Sequence, residues 1–157
     1  MSSGGDVHAV VSELPHGCAG VLHLTALTEV PHARRWVRET VERATAFPVT
    51  ISTHSIDDVE LCASEILTNA AQHSILSPEA SARVSVVMIG DSDKSDPAVR
   101  VECHDPGNTA ECLPAAVEAA PYATSGRGWR IVEALATRCG SFVHPDGGTV
   151  AWFEIEY

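Results

Sequence analysis

The stretch CASEILTNAAQHS, residues 62–74, contains a helical pattern and a polar pair that together decide how the chain is interpreted. Over residues 55–74, apolar side chains recur at helical spacing on one side: Ile56, Val59, Ala63, Ile66, Leu67 and Ala70. The other side carries Asp58, Glu65, Asn69 and Gln72. Such a side is usually solvated, but asparagine is a poor residue for a helix interior. A carboxylate and an amide one turn apart can also hold a hard cation, so both interpretations stay open.

The composition fits one globular domain in a reducing compartment. The chain has 157 residues, of which 45% are hydrophobic and 20% charged, enough to bury a core. The first residues contain no basic region followed by an apolar run, and no apolar stretch approaches the ~20 residues of a membrane helix. We therefore expect a cytoplasmic protein without a membrane partner. The five cysteines are scattered and form no CxxC pair, which predicts buried, reduced thiols.

The charge pattern excludes several classes of function. A net charge of −11 repels a phosphate backbone, so direct nucleic-acid binding is not expected. Lys94 is the only lysine and lies in SDKSD, so the GK[ST] sequence of a Walker A loop is absent. Any phosphate would have to be bound by backbone amides, arginine or a metal. The chain also lacks the G-x-S-x-G and H-E-x-x-H motifs of serine hydrolases and zinc proteases.

Histidine and cysteine offer little for a zinc site at the level of sequence. Only Cys103, His104 and Asp105 are clustered along the chain. Adjacent strand residues point to opposite faces, so Cys103 and His104 could not easily share one ion. Most of the eight histidines lie in loops or beside prolines, and we interpret nearly all of them as surface or structural residues.

The periodicity predicts the element order β-α-α-β-β-α-β-β after a polar tail at residues 1–16. Helices are expected at 29–47, 55–74 and 126–140, with Ser55 as the N-cap of the second. Strands are expected at 19–27, 81–90, 97–105, 141–144 and 149–157, with a hairpin at PDGG, residues 145–148. This order favours an α+β fold over residues 17–157: a two-layer α/β sandwich whose mostly antiparallel sheet is covered on one face by helices.

Two glycine-containing segments could complete a ligand site. Asp105-Pro106-Gly107 follows a predicted strand and is either a turn or a base-binding site, in which Asp105 accepts a hydrogen bond from an amine and Gly107 admits a flat ring. SGRGW, residues 125–129, opens the third helix and is either a flexible loop end or an anion site at a helix N-terminus. It lacks the third glycine and the preceding strand of a Rossmann fingerprint. The connection 106–125 is long for a plain loop, which indicates function or mobility.

The order of these motifs resembles the nucleotide site of the histidine-kinase-like ATPases, the GHKL or Bergerat-fold family. E-x-x-x-N lies on a helix, D-x-G follows a strand, G-x-G opens the next helix and a threonine lies on a late strand. The similarity is greatest to the small stand-alone anti-sigma-factor serine/threonine kinases of actinobacteria. It extends from about Gly20 to Tyr157 and rests mainly on SEILTNAAQHS, HDPG and SGRGWRIVEALATRCG.

The resemblance implies ATP and Mg²⁺ as cofactors and a role for each matching residue. Glu65 would be the general base for an attacking hydroxyl, and Asn69 would coordinate Mg²⁺. Asp105 would bind the adenine amino group. The other ATP-binding residues that the resemblance implies are His73, Gly107, Ser125, Gly126, Arg127, Gly128, Trp129 and Thr149. Two features depart from the family: Trp129 replaces an aliphatic residue, and the lid segment before Gly126 is short and rich in alanine.

The function implied by this resemblance is a regulatory protein kinase that is also an anti-sigma factor. It would phosphorylate an antagonist protein and control transcription by partner switching, with a sigma factor, an anti-anti-sigma antagonist or both as partners. Family members often form homodimers. The alternative is an ATP- or ADP-sensing interaction module without kinase activity, in which nucleotide sets only the lid conformation. The first helix presents Trp36 beside Arg34, Arg35 and Arg38, as a contact surface or as a core tryptophan among solvated arginines.

Overall fold

The chain folds into a five-stranded sheet packed against helices, in the order of elements that the sequence predicts. The computed structural model describes residues 18–45, 51–90, 96–107 and 127–157. The elements are β1 (Cys18–Leu24), a 3₁₀ helix (Leu27–Glu29), α1 (Val30–Ala44), α2 (Thr53–His73), β2 (Ala82–Ile89), β3 (Ala98–Asp105), α3 (Arg127–Leu135), β4 (Arg138–Val143) and β5 (Thr149–Glu156). Ser125, Gly126, the tail at 1–16 and the lid segment from 108 onward lie outside the described residues.

All four pairs of neighbouring strands are antiparallel, in the spatial order β1-β2-β3-β5-β4. Successive side chains on a strand point to opposite faces. In β3 this places Val101 and Cys103 in the core and Glu102 and His104 on the outer face. The prediction that Cys103 and His104 point apart is therefore confirmed, and the next residue, Asp105, lies on the same face as Cys103.

The core lies between the inner face of this sheet and helices α1 and α2. All six apolar positions predicted for the second helix are buried, and they pack against valines and Phe153 of the sheet. Each fully buried valine, leucine, isoleucine or phenylalanine side chain contributes about 1.5–3 kcal/mol to folding. Trp36 packs against the core from α1, where a Cβ on Gly20 would lie 2.9 Å from the indole. The fold class is confirmed as α+β with two layers. No described helix is long and apolar enough to cross a membrane.

Three predicted helix boundaries are wrong. Helix α1 ends at Ala44 instead of residue 47, because Thr45 leaves the helical conformation as its C-cap. Helix α2 begins earlier, because the N-cap is Ser52, whose hydroxyl accepts the Ser55 backbone N–H at 3.1 Å. Helix α3 ends at Leu135 instead of residue 140. The Thr137 N–H donates to the Glu154 carbonyl at 2.8 Å, and Arg138 then pairs with Glu154 in the sheet. Pairing with β5 thus overrides the helical propensity of residues 136–140.

The described cysteines are free thiols, in agreement with the prediction that they are reduced. Cys62 and Cys103 are buried, whereas Cys18 and Cys139 are partly exposed and depart from the expectation of burial. Burial, followed by the charge of Asp58, raises the pKa of the Cys62 thiol to about 12. Burial also raises the pKa of Cys103. Both thiols are therefore neutral at physiological pH.

Candidate functional site

Helix α2 forms one wall of the candidate site through Glu65 and Asn69. Asn69 is only 6% exposed, and its amide nitrogen Nδ2 is buried without a hydrogen-bond partner in the part of the chain that the structure describes. A buried polar group left in this state costs about 1–3 kcal/mol. The interpretation of this helix side as simply solvated is therefore wrong for Asn69. An amide that is buried but unpaired is suited to a partner from outside the described chain.

The first turn of α3 lies directly against Glu65. Helices α2 and α3 pack together, and a Cβ placed on Gly128 would collide with Oε2 of the Glu65 carboxylate and lie 3.3 Å from its Cδ. Only glycine lets the two helices approach so closely at this position. A helix start also presents backbone N–H groups without intrahelical partners and the positive end of the helix dipole. The half-buried Glu65 carboxylate thus lies beside a group of hydrogen-bond donors.

The second end of the site is built around Asp105, the last residue of β3. Asp105 is 5% exposed, and its Oδ1 accepts hydrogen bonds from Ser74 Oγ and the Gly107 backbone N–H, each at 2.8 Å. Ser74 is the C-cap residue of α2, so the carboxylate is fixed between the end of that helix and the end of β3. Gly107 has a φ of 75°, in the left-handed region that favours glycine.

Strand β5 completes this end of the site. Thr149 is the register partner of Asp105, and directly opposed residues of antiparallel strands share a face. The preceding residue, Gly148, closes the predicted PDGG hairpin: the His144 N–H donates to the Gly148 carbonyl at 2.7 Å. A Cβ on Gly148 would collide with the Asp105 carbonyl oxygen. Glycine at this position therefore lets the hairpin lie against Asp105.

The structure brings together most of the described residues that the sequence singles out. Glu65 and Gly128 are in contact at one end, with Asn69 one turn further along α2. The neighbouring ends of β3 and β5 provide Asp105, Gly107 and Thr149. Three further predicted residues have other surroundings. His73, the last residue of α2, and Arg127 are exposed, while Trp129 packs against the core.

Ser74 and Gly148 both contact Asp105, and the sequence interpretation did not assign either of them to the site. Ser74 closes the quoted stretch at residues 62–74, so a hydroxyl at the end of the helix was a readable signal. The role of Gly148 depends on the register of β3 against β5, which the sequence does not specify. Both residues act on Asp105, one through its carboxylate and one through its backbone.

The two ends of the site differ in chemistry. An amide, a carboxylate and a helix start suit phosphate groups with a hard cation. A buried carboxylate next to a glycine backbone suits a flat ring that carries an amine. Glu65 and Ser74 are nine residues apart on α2, which corresponds to roughly 13 Å along the helix axis. This arrangement can hold an extended molecule with a base at one end and phosphates at the other.

Comparison with known proteins agrees with this geometry. Residues 25–155 match the family model described as the histidine kinase-like ATPase domain. The matched range includes α2, α3 and the ends of β3 and β5 that form the candidate site. No curated protein matches the chain. The predicted resemblance is confirmed at the level of this family, whose domain binds ATP, whereas the anti-sigma-factor branch stays a prediction. The chain belongs to the histidine kinase-like ATPase domain family.

Proposed function

We propose that this chain is a regulatory serine/threonine protein kinase of the anti-sigma-factor type, which phosphorylates an antagonist protein and controls transcription by partner switching. The observation that carries the proposal is the amide nitrogen of Asn69, which is buried and has no hydrogen-bond partner among the described residues. Asn69 lies one turn from Glu65, and Glu65 lies against Gly128 in the first turn of α3. A fold with only a structural use for this helix would have no reason to keep such an amide buried.

The residues of the site fit ATP with Mg²⁺. When bound, ATP supplies the transferable phosphoryl group and Mg²⁺ neutralises phosphate charge. Asn69 offers an oxygen ligand of the kind that Mg²⁺ prefers, and its amide nitrogen offers a hydrogen bond that a phosphate oxygen or a bound water would accept. A carboxylate can accept about four hydrogen bonds, so Asp105, held through Oδ1, can also receive the adenine amine. Thr149 on β5, the register partner of Asp105, would support the adenine.

Glu65 is the residue that separates a kinase from a passive nucleotide-binding protein. As general base, its carboxylate orients a serine or threonine hydroxyl and takes the proton as the hydroxyl attacks. The missing Cβ at Gly128 leaves room for Oε2 in this position. Nucleotide binding alone does not require a carboxylate beside the Asn69 amide, because the negative charge of Glu65 repels the phosphates. A carboxylate at this position therefore favours a role in the transfer step.

Features around the site favour a protein as the substrate. Leu61 lies one turn before Glu65 on the same side of α2 and is 44% exposed. An exposed leucine beside the proposed base provides an apolar contact for a polypeptide carrying the target hydroxyl. The net charge of −11 opposes binding to nucleic acid. A sigma factor and its antagonist are the proposed partners, and a homodimer is part of the proposal.

Calorimetric titration with Mg²⁺-ATP tests the nucleotide site. We expect saturable binding by the wild type, and affinities at least 100-fold weaker for Asn69→Ala and Asp105→Asn. The matched controls are Gln72→Ala, an exposed polar residue on the same helix, and Asp96→Asn, an exposed aspartate before β3. Both controls should bind like the wild type. A folded wild-type protein that does not bind Mg²⁺-ATP would contradict the proposal.

Transfer of labelled phosphate to anti-anti-sigma antagonist proteins tests the kinase step. Glu65→Gln should abolish transfer while ATP affinity stays within about twofold, because the variant removes a proton acceptor and keeps the side-chain size. Glu79→Gln, at an exposed position after α2, is the matched control. If the wild type transfers no phosphate and Glu65→Gln leaves nucleotide-dependent partner binding unchanged, the chain is a nucleotide-sensing interaction module instead of a kinase. Transfer that persists in Glu65→Gln would contradict the general-base role of Glu65.

A further inference from the structure

Three metal-ligating side chains meet on the outer face of the sheet, away from the helices. His104 comes from β3, and His144 and Asp146 come from the hairpin between β4 and β5. Their ligand atoms all lie within 4.8 Å of one another. The carboxylate of Asp146 is 3.1 Å from His104 Nε2 and 3.0 Å from His144 Nδ1. The two imidazole rings are 4.3 Å apart between centroids.

The separations between the Asp146 carboxylate and the two imidazole nitrogens are close to those of ligands that share one ion. Nitrogen and oxygen donors about 2.0–2.1 Å from a tetrahedral Zn²⁺ are roughly 3.3–3.5 Å from each other. The two nitrogen–oxygen distances of 3.0 and 3.1 Å need only a small expansion to reach this value. Two imidazoles and one carboxylate also form a ligand set that zinc accepts, with a fourth position left for water.

The Asp146 carboxylate is held beside both imidazoles. His144 Nδ1 lies 3.0 Å from the carboxylate and 3.3 Å from the Asp146 backbone nitrogen, whose N–H it accepts. A cation bound to Nδ1 would take the lone pair that this N–H now faces, so a metal bond would replace the 3.3 Å hydrogen bond. The Gly148 N–H donates to Asp146 Oδ1 at 2.9 Å and fixes the position of the carboxylate.

The backbone of the hairpin is shaped to bring these ligands together. A Cβ on Gly148 would lie 3.0 Å from His104 Nε2 and 3.2 Å from Asp146 Oδ1, closer than real Cβ atoms normally approach. Gly147 has a φ of 92°, which also favours glycine. The two glycines that close the turn therefore allow Asp146 to lie against His104. The chain separates His104 from His144 by forty positions, which explains why the sequence interpretation missed the cluster.

The cluster is accessible from solvent. His104 and His144 line an outer-face groove of about 300 Å³, whose other lining residues include Arg83, Glu102, Phe142 and Val150. The His104 side chain is 23% exposed and the Asp146 side chain is 54% exposed. An ion can therefore enter from water, and a coordination position that faces the groove can be filled by water or by an external ligand.

We propose that His104, His144 and Asp146 form a Zn²⁺ site with three protein ligands and an open position towards the groove. The site is separate from the candidate nucleotide site, because His104 and Asp105 are adjacent on β3 and point to opposite faces of the sheet. The metal would clamp the β4–β5 hairpin to β3.

The test is a Zn²⁺ titration of the full chain, freed of any histidine tag, against a chromophoric chelator. We expect one zinc per chain, with affinity reduced at least tenfold in His104→Ala, His144→Ala and Asp146→Asn. His54→Ala is the matched control, because His54 and Asp58 form an exposed pair at 3.6 Å that offers only two donors. Asp105→Asn, on the other face of the sheet, should keep full zinc affinity. Circular dichroism establishes that each variant is folded. If an alanine variant does not fold, a glutamine substitution of the same histidine, His104→Gln or His144→Gln, replaces it.

Substitution with Co²⁺ identifies the ligand types independently of the variants. A site with nitrogen and oxygen ligands gives visible d–d absorption without a thiolate charge-transfer band, whereas the free thiols of the chain would produce that band. The proposal is overturned if the folded wild type binds no zinc. It is equally overturned if affinity is unchanged in both histidine variants, or if the cobalt spectrum shows thiolate ligation.

Discussion

Helix α2 carries two sets of polar side chains that the fold treats in opposite ways. In its first half, Asp57 and Glu60 accept hydrogen bonds from Arg38 of α1 at 2.7 and 2.8 Å. In its second half, Asn69 is buried with an amide nitrogen that has no hydrogen-bond partner among the described residues, and Glu65 faces the start of α3. The first set is already hydrogen-bonded to α1. The second set includes a buried donor that no described residue satisfies, which is typical of a binding site.

The ion pairs of the first set have an ordinary structural role. The hydrogen bonds that Arg38 donates to Asp57 and then to Glu60 raise the pKa of its guanidinium above the usual value. The Arg38 side chain is 27% exposed and Asp57 is 58% exposed, so solvent screens the attraction. Pairs of this kind contribute about 0.2–1 kcal/mol each. The pattern of charge alone does not separate the two sets, because both consist of acids or amides spaced along the same helix.

Replacement of Asn69 by leucine gives the largest expected effect on nucleotide binding. Asn69→Leu removes the orphan amide while keeping a similar volume, so the free energy of unfolding should stay constant or rise by about 1 kcal/mol. The affinity for Mg²⁺-ATP should fall at least 100-fold, about 2.8 kcal/mol, because the oxygen ligand is lost. Urea unfolding and calorimetry measure the two quantities. A variant that is less stable by more than about 2 kcal/mol and binds ATP normally would make Asn69 a structural residue.

Gly128→Ala tests whether the approach of α3 matters for Glu65. The added methyl would collide with Oε2, the mobile end of the Glu65 side chain, so the carboxylate should move while the fold stays intact. We expect stability within about 1 kcal/mol of the wild type, since alanine also favours the helix, and phosphate transfer reduced at least tenfold. Transfer assays at several ATP concentrations separate kcat from KM. Reduced kcat with unchanged KM supports the general-base role, and unchanged kcat contradicts it.

The sequence predicts the helices, the strands and the buried side of α2 well, because helical and strand periodicity are local properties. The buried stripe of α2 and the order of strands and helices follow from residue spacing alone. The end of α3 does not, since the competing hydrogen bond joins Thr137 to Glu154, seventeen positions away. The burial of Asn69 is also beyond a helical pattern, because it depends on how neighbouring elements enclose that side of α2.

The candidate site is likewise predictable only in part. Individual motifs around Glu65, Asp105 and Gly128 are ambiguous as local patterns, and only their order along the chain pointed to a nucleotide site. The support that Ser74 and Gly148 give to Asp105 arises from tertiary contacts. Contacts between residues distant in the chain have no local signature. The sequence shows the Ser74 hydroxyl at the end of the helix, but it does not show that this hydroxyl meets Asp105 or that Gly148 lies against it.

Alkaline pH should weaken the fold through Cys62, which lies between the two polar sets of α2. Burial and the charge of Asp58 raise the pKa of this thiol to about 12. The folded chain therefore holds the proton at pH values where the unfolded thiol, with its ordinary pKa near 9, has lost it. Stability should decrease from about pH 9 towards pH 12, by about 1.4 kcal/mol per pH unit for this thiol.

The measurement is urea unfolding of the wild type and Cys62→Ala across this pH range. Cys62→Ala should lose stability less steeply, although Cys103, whose pKa is also raised by burial, still contributes. Comparing slopes cancels the loss of packing that the alanine introduces. Equal slopes for the two proteins would mean that the Cys62 thiol is not shielded from solvent.

Arg38→Met gives the smallest expected effect and tests the other half of the comparison. Methionine keeps the alkyl part of the side chain and removes the charge, so stability should fall by about 1 kcal/mol at low salt. The difference should shrink towards zero in 1 M salt, where the Debye length is about 3 Å. Arg35→Met, at an exposed position on the same helix, should have no such salt-dependent cost. Mg²⁺-ATP affinity should stay at the wild-type value in both variants. A tenfold loss of affinity in Arg38→Met alone would mean that the two polar sets form one network, and that the ion pairs of α2 help to place Glu65 and Asn69.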